Sequence, residues 1–395
     1  MNFATMKGLT IPEGVVTQIT DASGRVLWKL SVGGPIVLGV EKITSNTYAA
    51  ETSYTDEQFI LLDIYPKTNG TVSVTYGGLT KTITDTSGAE NPNAQQVYFG
   101  TFNGVSDSVT TPASGELTIE GDYESFATVS FSYSSKNSKY CGCITSVIEW
   151  GGITSIPTGA FRGCASLTLA KLPNSITSVG GSAFYGCTAL ALTSLPSGLT
   201  SIGSSAFYGC TALALTSLPS GLTSIGDSAF YMCENLTFIE LPSGLTSISS
   251  SAFEYCDKLK NITIHGGVTS IGSNAFAYCG NLESVIISEG VKSIGPQAFY
   301  MSISEADNAL GKQINLREVV LPSTIQSIGY SAFYVSYSGG SACYLDKLTI
   351  LATTPPTVSE GGYNAKTIIV PKGCGEAYKA AEGWSAYADR IVEAS

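Results

Sequence analysis

The sequence predicts a mostly β chain whose larger part is a stacked solenoid, preceded by an all-β sandwich and a short hairpin. Three observations carry this reading. The pair Ala-Phe recurs at Phe161, Phe184, Phe207, Phe230, Phe253 and Phe276, each 23 residues after the last, then at Phe299 and, after an 11-residue insertion, at Phe333. A fixed period of this size marks a solenoid, in which one coil cannot bury its own apolar face and must stack on its neighbours. Before residue 140, apolar and polar residues alternate in short bursts between Gly, Asn, Asp and Pro. Finally, charged residues are sparse at 13% while glycine alone numbers 43, a turn-rich composition suited to short strands.

The first element, residues 1–30, holds two strand-like runs, Val16 to Thr20 and Arg25 to Leu30, joined by Asp21-Ala-Ser-Gly24. A lone hairpin is marginal in water, so it is expected to dock on the next domain or on another protein. The run Ile11-Pro-Glu-Gly-Val-Val16 followed by Asp21-x-x-Gly24-x-Val26-Leu-Trp28 resembles the N-terminal attachment segment of phage and prophage virion proteins. That resemblance implies attachment to other virion proteins, with Ile11, Val16, Val26 and Trp28 as the contact candidates. An ordinary edge hairpin of the following domain stands beside it as the alternative.

The second element, residues 31–140, contains Phe59 to Ile64, Thr71 to Tyr76, Leu79 to Ile83, Gln96 to Phe99, Glu116 to Ile119 and Ala127 to Tyr133. Short alternating runs at this spacing predict an immunoglobulin-like sandwich acting as a spacer or binding platform. The polar run Ser134-Ser-Lys-Asn-Ser-Lys139 marks its end.

The third element, residues 141–395, repeats the unit Leu236-x-x-Ile239-x-Leu241-Pro242-Ser-Gly-Leu245-Thr-Ser-Ile248, then Ala252-Phe253-x-x-Cys256-x-x-Leu259. The opening alternation predicts a strand, Pro242 ends it because it has no N–H to donate, and Ser243-Gly244 supplies a turn. Leu245 and Ile248 point inward on a second extended piece, and Ala252, Phe253 and Cys256 at helical spacing predict a brief helical or 3₁₀ turn. At a strand spacing of about 4.8 Å, eight coils make a rod on the order of 40 Å long. Residues 182–204 and 205–227 differ only at Ser204 against Asp227, so the stack is expected to tolerate added coils.

These residues resemble the leucine-rich repeats of the bacterial surface-antigen (BspA-like) family. The chain end, from about 345 to 395, resembles that family's closing unit through Thr354-Pro-Pro356, Ile368-Ile-Val370-Pro371, Tyr378 and Trp384 to Ile391. A solenoid needs such a cap because an open end exposes core. The resemblance implies attachment or protein interaction, and it brings no catalytic motif.

Composition narrows the function classes. A net charge of −11 argues against nucleic acid and against an anionic membrane surface as partners. No run approaches the roughly 20 apolar residues of a membrane span, and the first residues lack the apolar core of a signal peptide. Cys164, Cys187, Cys210, Cys233, Cys256 and Cys279 each follow the repeat Phe by three residues, so they read as buried, reduced packing groups and not as a disulfide framework. Cys374 is the candidate for an exposed thiol, and the redox states of Cys141 and Cys143 stay open. The single histidine, His265, makes a His-based metal cluster or catalytic triad untenable and reads as an exposed turn residue. Glu305 and Asp307 sit in an insertion and read as solvated, so no catalytic residue, metal or cofactor is assigned.

Two columns stand out as ligand candidates, because stacking turns single choices into rows. One contains Leu192, Leu215 and Phe238; the other contains Tyr185, Tyr208, Tyr231, Tyr300 and Tyr334. Aromatic rows suit sugar rings or a protein partner. The insertions at 301–313 and 334–346 are expected to project from a binding face.

The favoured reading at this point is a non-enzymatic phage virion protein of tail-fibre, receptor-binding or decoration type. It would be assembled in a host cytoplasm, bound to other virion proteins through its N-terminus and to a host glycan or protein through its repeats; a homo-trimer is one assembly open to it, and no coiled-coil heptads demand it. The alternative is a bacterial cell-surface or secreted adhesin, and the third a particle-borne glycan-degrading enzyme.

Overall fold

The computed structural model describes residues 18–20, 26–29, 36–40, 59–66, 71–76, 79–84, 95–102, 105–106, 115–121, 123–128, 144–150, 153–237, 239–303, 315–337, 345–359 and 365–395. The N-terminal hairpin is present: Gln18–Thr20 pairs antiparallel with Val26–Lys29. Ile11 and Val16 lie outside the described residues, as do Cys141, Cys143, Glu305 and Asp307.

Two antiparallel sheets follow. One has four strands in the order Tyr123–Thr128, Phe59–Pro66, Gln95–Phe102, Val105–Ser106. The other has five, in the order Ile144–Trp150, Ile36–Val40, Gly115–Gly121, Thr71–Tyr76, Leu79–Thr84. Alternation works as expected in Thr71–Tyr76, whose Val72, Val74 and Tyr76 are buried with Ile83, Leu117 and Ile119. Thr71 and Thr75 face outward and their hydroxyls meet those of Thr84 and Thr80 at 3.1 and 2.9 Å. These strand orders define two sheets and not, by themselves, the immunoglobulin-like sandwich expected from the sequence.

The strand Ile144–Trp150 belongs to both neighbours. It pairs with Ile36–Val40 in the five-stranded sheet, while its Thr145 carbonyl accepts the amide (2.8 Å) and hydroxyl (3.1 Å) of Thr168 from the first coil. Trp150 also meets the first repeat phenylalanine edge-on, centroids 5.9 Å apart. The first coil is therefore covered by a strand of the preceding sheet.

From there the coils stack in register. The Ser-Ile pieces form two parallel sheets: four strands from Ser155–Ile156 to Ser224–Ile225, and five from Ser247–Ile248 to Thr357–Val358. A seven-stranded sheet on another face begins only at Ile239–Glu240 and ends at Ile391–Glu393. Sequence explains the late start. In Asn261–Ile264 the buried residues Ile262 and Ile264 are two apart, which a strand accommodates on one face. In the earlier coils the inward residues are Leu213, Leu215 and Leu218, spaced two and then three, so no straight strand buries all of them.

The third edge is made of turns and not of a helix. Amides bond three residues back, as in Tyr231 N–H to the Ser228 carbonyl and Cys233 N–H to Phe230, but Ser228 and Met232 have positive φ of 54° and 57° and break any helical run. Inside, the eight phenylalanines form one column. Successive rings from Phe161 to Phe333 are near parallel, with centroids 5.2 to 5.4 Å apart.

One seam interrupts the stack. At Gly180, Gly203, Gly226, Gly272, Gly295 and Gly329 the amide donates to the Ile or Val carbonyl of the coil before, at 2.7 to 2.9 Å. A Cβ at Gly203 would stand 2.5 Å from the Gly181 nitrogen, so the close approach demands glycine. The fifth coil has Ser249 there. Its hydroxyl, not its amide, reaches the Ile225 carbonyl (2.5 Å), and the two Ser-Ile sheets separate at this point. Asp227, the one residue that distinguishes the twin coils, bridges the seam by accepting the Ser250 amide at 3.1 Å. The turn edge stays joined, with Phe230 N–H bonded to the Ala252 carbonyl at 2.9 Å.

The C-terminus closes the core. Ala365–Val370 and then Ile391–Glu393 extend the seven-stranded sheet. Tyr378, on the helix Gly375–Ala380, and Trp384 are fully buried, edge to face at 5.4 Å. Their polar ends find partners: Tyr378 hydroxyl to the Ala352 carbonyl (2.7 Å) and Trp384 Nε1 to that of Pro356 (2.8 Å).

Candidate functional site: a tyrosine ladder along the turn edge

The residue after the repeat Phe lies on the turn edge, half-buried beside the core at Arg162, Tyr185, Tyr208, Tyr231, Tyr300 and Tyr334. Tyr185 and Tyr208 stack at 4.5 Å and 9°, and Tyr208 and Tyr231 at 4.4 Å and 8°. At the N-terminal end the Arg162 guanidinium lies over the Tyr185 ring, 5.0 Å from its centroid.

The next two coils carry Glu254 and Ala277 at this position, which would end the row. Instead the ladder shifts by one residue. Tyr255 and Tyr278 occupy the following position, where the first coils have Gly163, Gly186 and Gly209, and they share its positive φ at 59° and 58°. Tyr231 meets Tyr255 edge-on (5.4 Å, 63°), Tyr255 stacks on Tyr278 (4.5 Å, 1°), and Tyr278 meets Tyr300 edge-on (5.3 Å, 63°). Tyr300 and Tyr334 then run parallel at 5.6 Å. Seven tyrosines thus make one continuous ladder. Sequence reasoning found five and missed Tyr255 and Tyr278, because it followed a fixed column. The signal available was that Glu254 and Ala277 are each followed by Tyr.

Glu254 and Ala277 lie beneath the shifted rings, at 8% and 0% exposure. Burial raises the Glu254 carboxyl above its ordinary value, against a hydrogen bond from Ser251 that favours the ionised form. Burial also pushes up the phenols of Tyr208, Tyr231, Tyr255 and Tyr278, with neighbouring phenols and the Glu254 charge adding to it.

The second candidate column is not a surface. Leu192 and Leu215 are 0% and 1% exposed and belong to the core, because the Leu-x-Leu-x-x-Leu spacing of the early coils turns this position inward. Phe238 lies outside the described residues, and so do the side chains of Val26 and Trp28. His265 is not a free turn residue either. Its Nδ1 accepts the Gly267 amide (3.1 Å), which leaves Nε2 to donate to the Pro242 carbonyl one coil back (2.8 Å). Met301–Ile303 and Val335–Tyr337, which open the two insertions, pair in parallel at the C-terminal end of the ladder; residues 304–314 and 338–344 lie outside the described residues.

The cysteine column is chemically quiet. The six thiols are buried and none of them is in a disulfide, and each from Cys187 to Cys279 donates its S–H to a phenylalanine carbonyl of the coil before, at 3.0 to 3.3 Å. Burial pushes the Cys279 thiol up to about 12, far from the thiolate a nucleophile needs. Cys374 is half-buried and free. Among the described residues, no three or more His, Cys, Asp or Glu side chains gather to hold a metal.

Stacked coils with parallel ladders, an inward Leu/Ile/Phe/Cys core and a closing cap define a leucine-rich-repeat solenoid. The description "BspA type Leucine rich repeat region (6 copies)" matches residues 132–231, 212–308 and 305–351, more than half of the chain. The protein belongs to that family. Among solved structures, a leucine-rich repeat protein from Bacteroides ovatus is 22% identical, with 63% of this chain and 70% of that one covered and a TM-score of 0.41. A leucine rich cell surface protein from Faecalibacterium prausnitzii is 18% identical, covering 65% and 80%, with a TM-score of 0.34. A leucine-rich repeat protein from Eubacterium ventriosum is 21% identical, covering 65% and 74%, with a TM-score of 0.36. No curated protein matches the chain.

Proposed function

We propose that this is a non-enzymatic leucine-rich-repeat protein of a bacterial cell surface, or one released from it, whose coils hold a long edge against a protein partner. The observation that carries this is the unbroken tyrosine ladder from Tyr185 to Tyr334 on a stack of family-typical coils. Tyrosine supplies contact area with little rotamer entropy to lose, and rings already fixed by stacking lose less still. A sugar would need a free ring face to stack on, and parallel rings 4.4 to 4.5 Å apart leave mainly edges and hydroxyls outward, which favours a protein over a glycan. Among the described residues no helix is long and apolar enough to cross a membrane.

The virion reading draws on the N-terminal resemblance together with the acidic charge and the lack of an export signal and of catalytic residues, and none of the comparisons supports it. The test is surface labelling of intact cells that make the protein. A membrane-impermeant label or an added protease should reach the solenoid, and protein protected until the cells are broken would refute the surface reading.

A further inference from the structure

The uncompensated charge on the ladder points to the chemistry of its partner. Glu254 and Ser331 are the two buried polar or charged residues among those described. The Glu254 carboxylate has its hydrogen bond from Ser251 and, among the described residues, no ion pair. A buried carboxylate is ordinarily paired, because leaving water costs it several kcal/mol. The nearest lysine in sequence, Lys258, is held by the Asn235 side-chain oxygen at 2.5 Å. Glu234 and Asp257 add negative charge on the same two coils and are exposed.

Glu254 sits where the ladder changes column. At the two edge-on steps, Tyr231 to Tyr255 and Tyr278 to Tyr300, the parallel stack is interrupted, while Tyr255 and Tyr278 between them stay stacked at 4.5 Å. Aromatic rings with a carboxylate among them are the arrangement that recognises an organic cation. The ladder already takes one: the Arg162 guanidinium covers its first ring. The net charge of −11 favours a basic partner over an acidic one.

We propose that the Tyr231–Tyr300 section, with Glu254 behind it, is the docking point for a lysine or arginine side chain of a basic polypeptide. This rests on the surface-attachment reading above and names the class of partner for the same edge.

The test is calorimetric titration of the full chain with an acetylated, amidated oligolysine peptide, in wild type, Glu254→Gln and Glu283→Gln. Glu283 is an exposed acid paired with Lys260, so its variant removes the same charge away from the ladder. The expected result is binding that weakens about tenfold in Glu254→Gln, the loss of one partly desolvated charge pair, and stays near wild type in Glu283→Gln. Equal weakening in both variants would reduce the effect to general attraction by an acidic protein and overturn the proposal. So would absence of binding to wild type. Glu254→Gln should also be more stable than wild type, so lost binding cannot be assigned to unfolding. If oligolysine fails while impermeant labels still reach the solenoid on intact cells, the cation site falls and the surface reading stands.

Discussion

Gly203→Ser tests the stacking of coils at a single atom. The Gly203 amide donates to the Val179 carbonyl at 2.8 Å, and a Cβ there would lie 2.5 Å from the Gly181 nitrogen and 2.8 Å from the Gly180 carbonyl carbon. All are backbone atoms, so nothing can rotate away. The coil must move off its neighbour, losing one amide–carbonyl bond worth about 1 kcal/mol and adding overpacking of about 1–3 kcal/mol. Two effects offset this: serine stiffens the unfolded chain by about 0.5–1 kcal/mol, and its hydroxyl can reach the freed carbonyl, as Ser249 reaches Ile225. The net expectation is a loss of about 1–3 kcal/mol. Chemical denaturation measures the loss, and hydrogen exchange of the Thr200 to Gly203 amides shows whether a second seam has formed. Unchanged stability with unchanged protection would refute the claim that glycine is required by the approach of the coils.

Three further expectations follow from the same geometry. Ser249→Gly should close the natural seam, slowing exchange at the Thr246 and Ser249 amides; no change there would mean that the seam has another cause. Cys210→Ala should cost about 1–2 kcal/mol, for a small cavity and the lost S–H bond to Phe184, whose carbonyl keeps the Cys187 amide at 3.1 Å; a neutral result in denaturation would show the column to be loosely packed. The acids should act in opposite directions with pH. Glu254 is raised above its ordinary value near 4.5, so it leaves the fold unpenalised below that value and destabilises it as pH rises through the folded one. Glu254→Gln should therefore match wild type near pH 4 and exceed it near pH 7. Glu289 is held low, first by the Ser323 amide, so its contribution is present above about 4.5 and fades on acidification. Melting curves across this range check both, and parallel curves for Glu254→Gln and wild type would refute the first.

The period and the inward columns were legible because each is a fixed residue type at a fixed place. Phe recurs every 23 residues from Phe161 to Phe299 and Cys every 23 from Cys164 to Cys279, and a stacked coil turns such a repeat into a column. The ladder was only partly legible. Tyr255 and Tyr278 stand at a left-handed position that reads as a glycine site in the early coils, so a column-by-column reading passes over them. A surface position for Leu192 and Leu215 follows only if one spacing holds in every coil; the early coils do not form that strand, and their leucines turn inward. The seam escaped because Ser249 for Gly looks like an ordinary substitution among many serines. Only the distance between neighbouring backbones gives it meaning. The strand Ile144–Trp150 shows a further limit: its pairing with Ile36–Val40 spans more than a hundred residues, and no local pattern announces it.

The claim that attachment uses the turn edge is tested most directly by setting it against the opposing apolar surface. On the seven-stranded sheet, Ile286 and Val320 are exposed at 56% and 46% and form the rival stripe. Binding of the purified chain to cells or to its captured partner should be compared between Ile286→Glu and the triple change of Tyr185, Tyr208 and Tyr231 to Ala. The account predicts that the tyrosine variant loses binding and that Ile286→Glu keeps it. Loss on the sheet with retention on the ladder would place the partner on the other face and contradict the account.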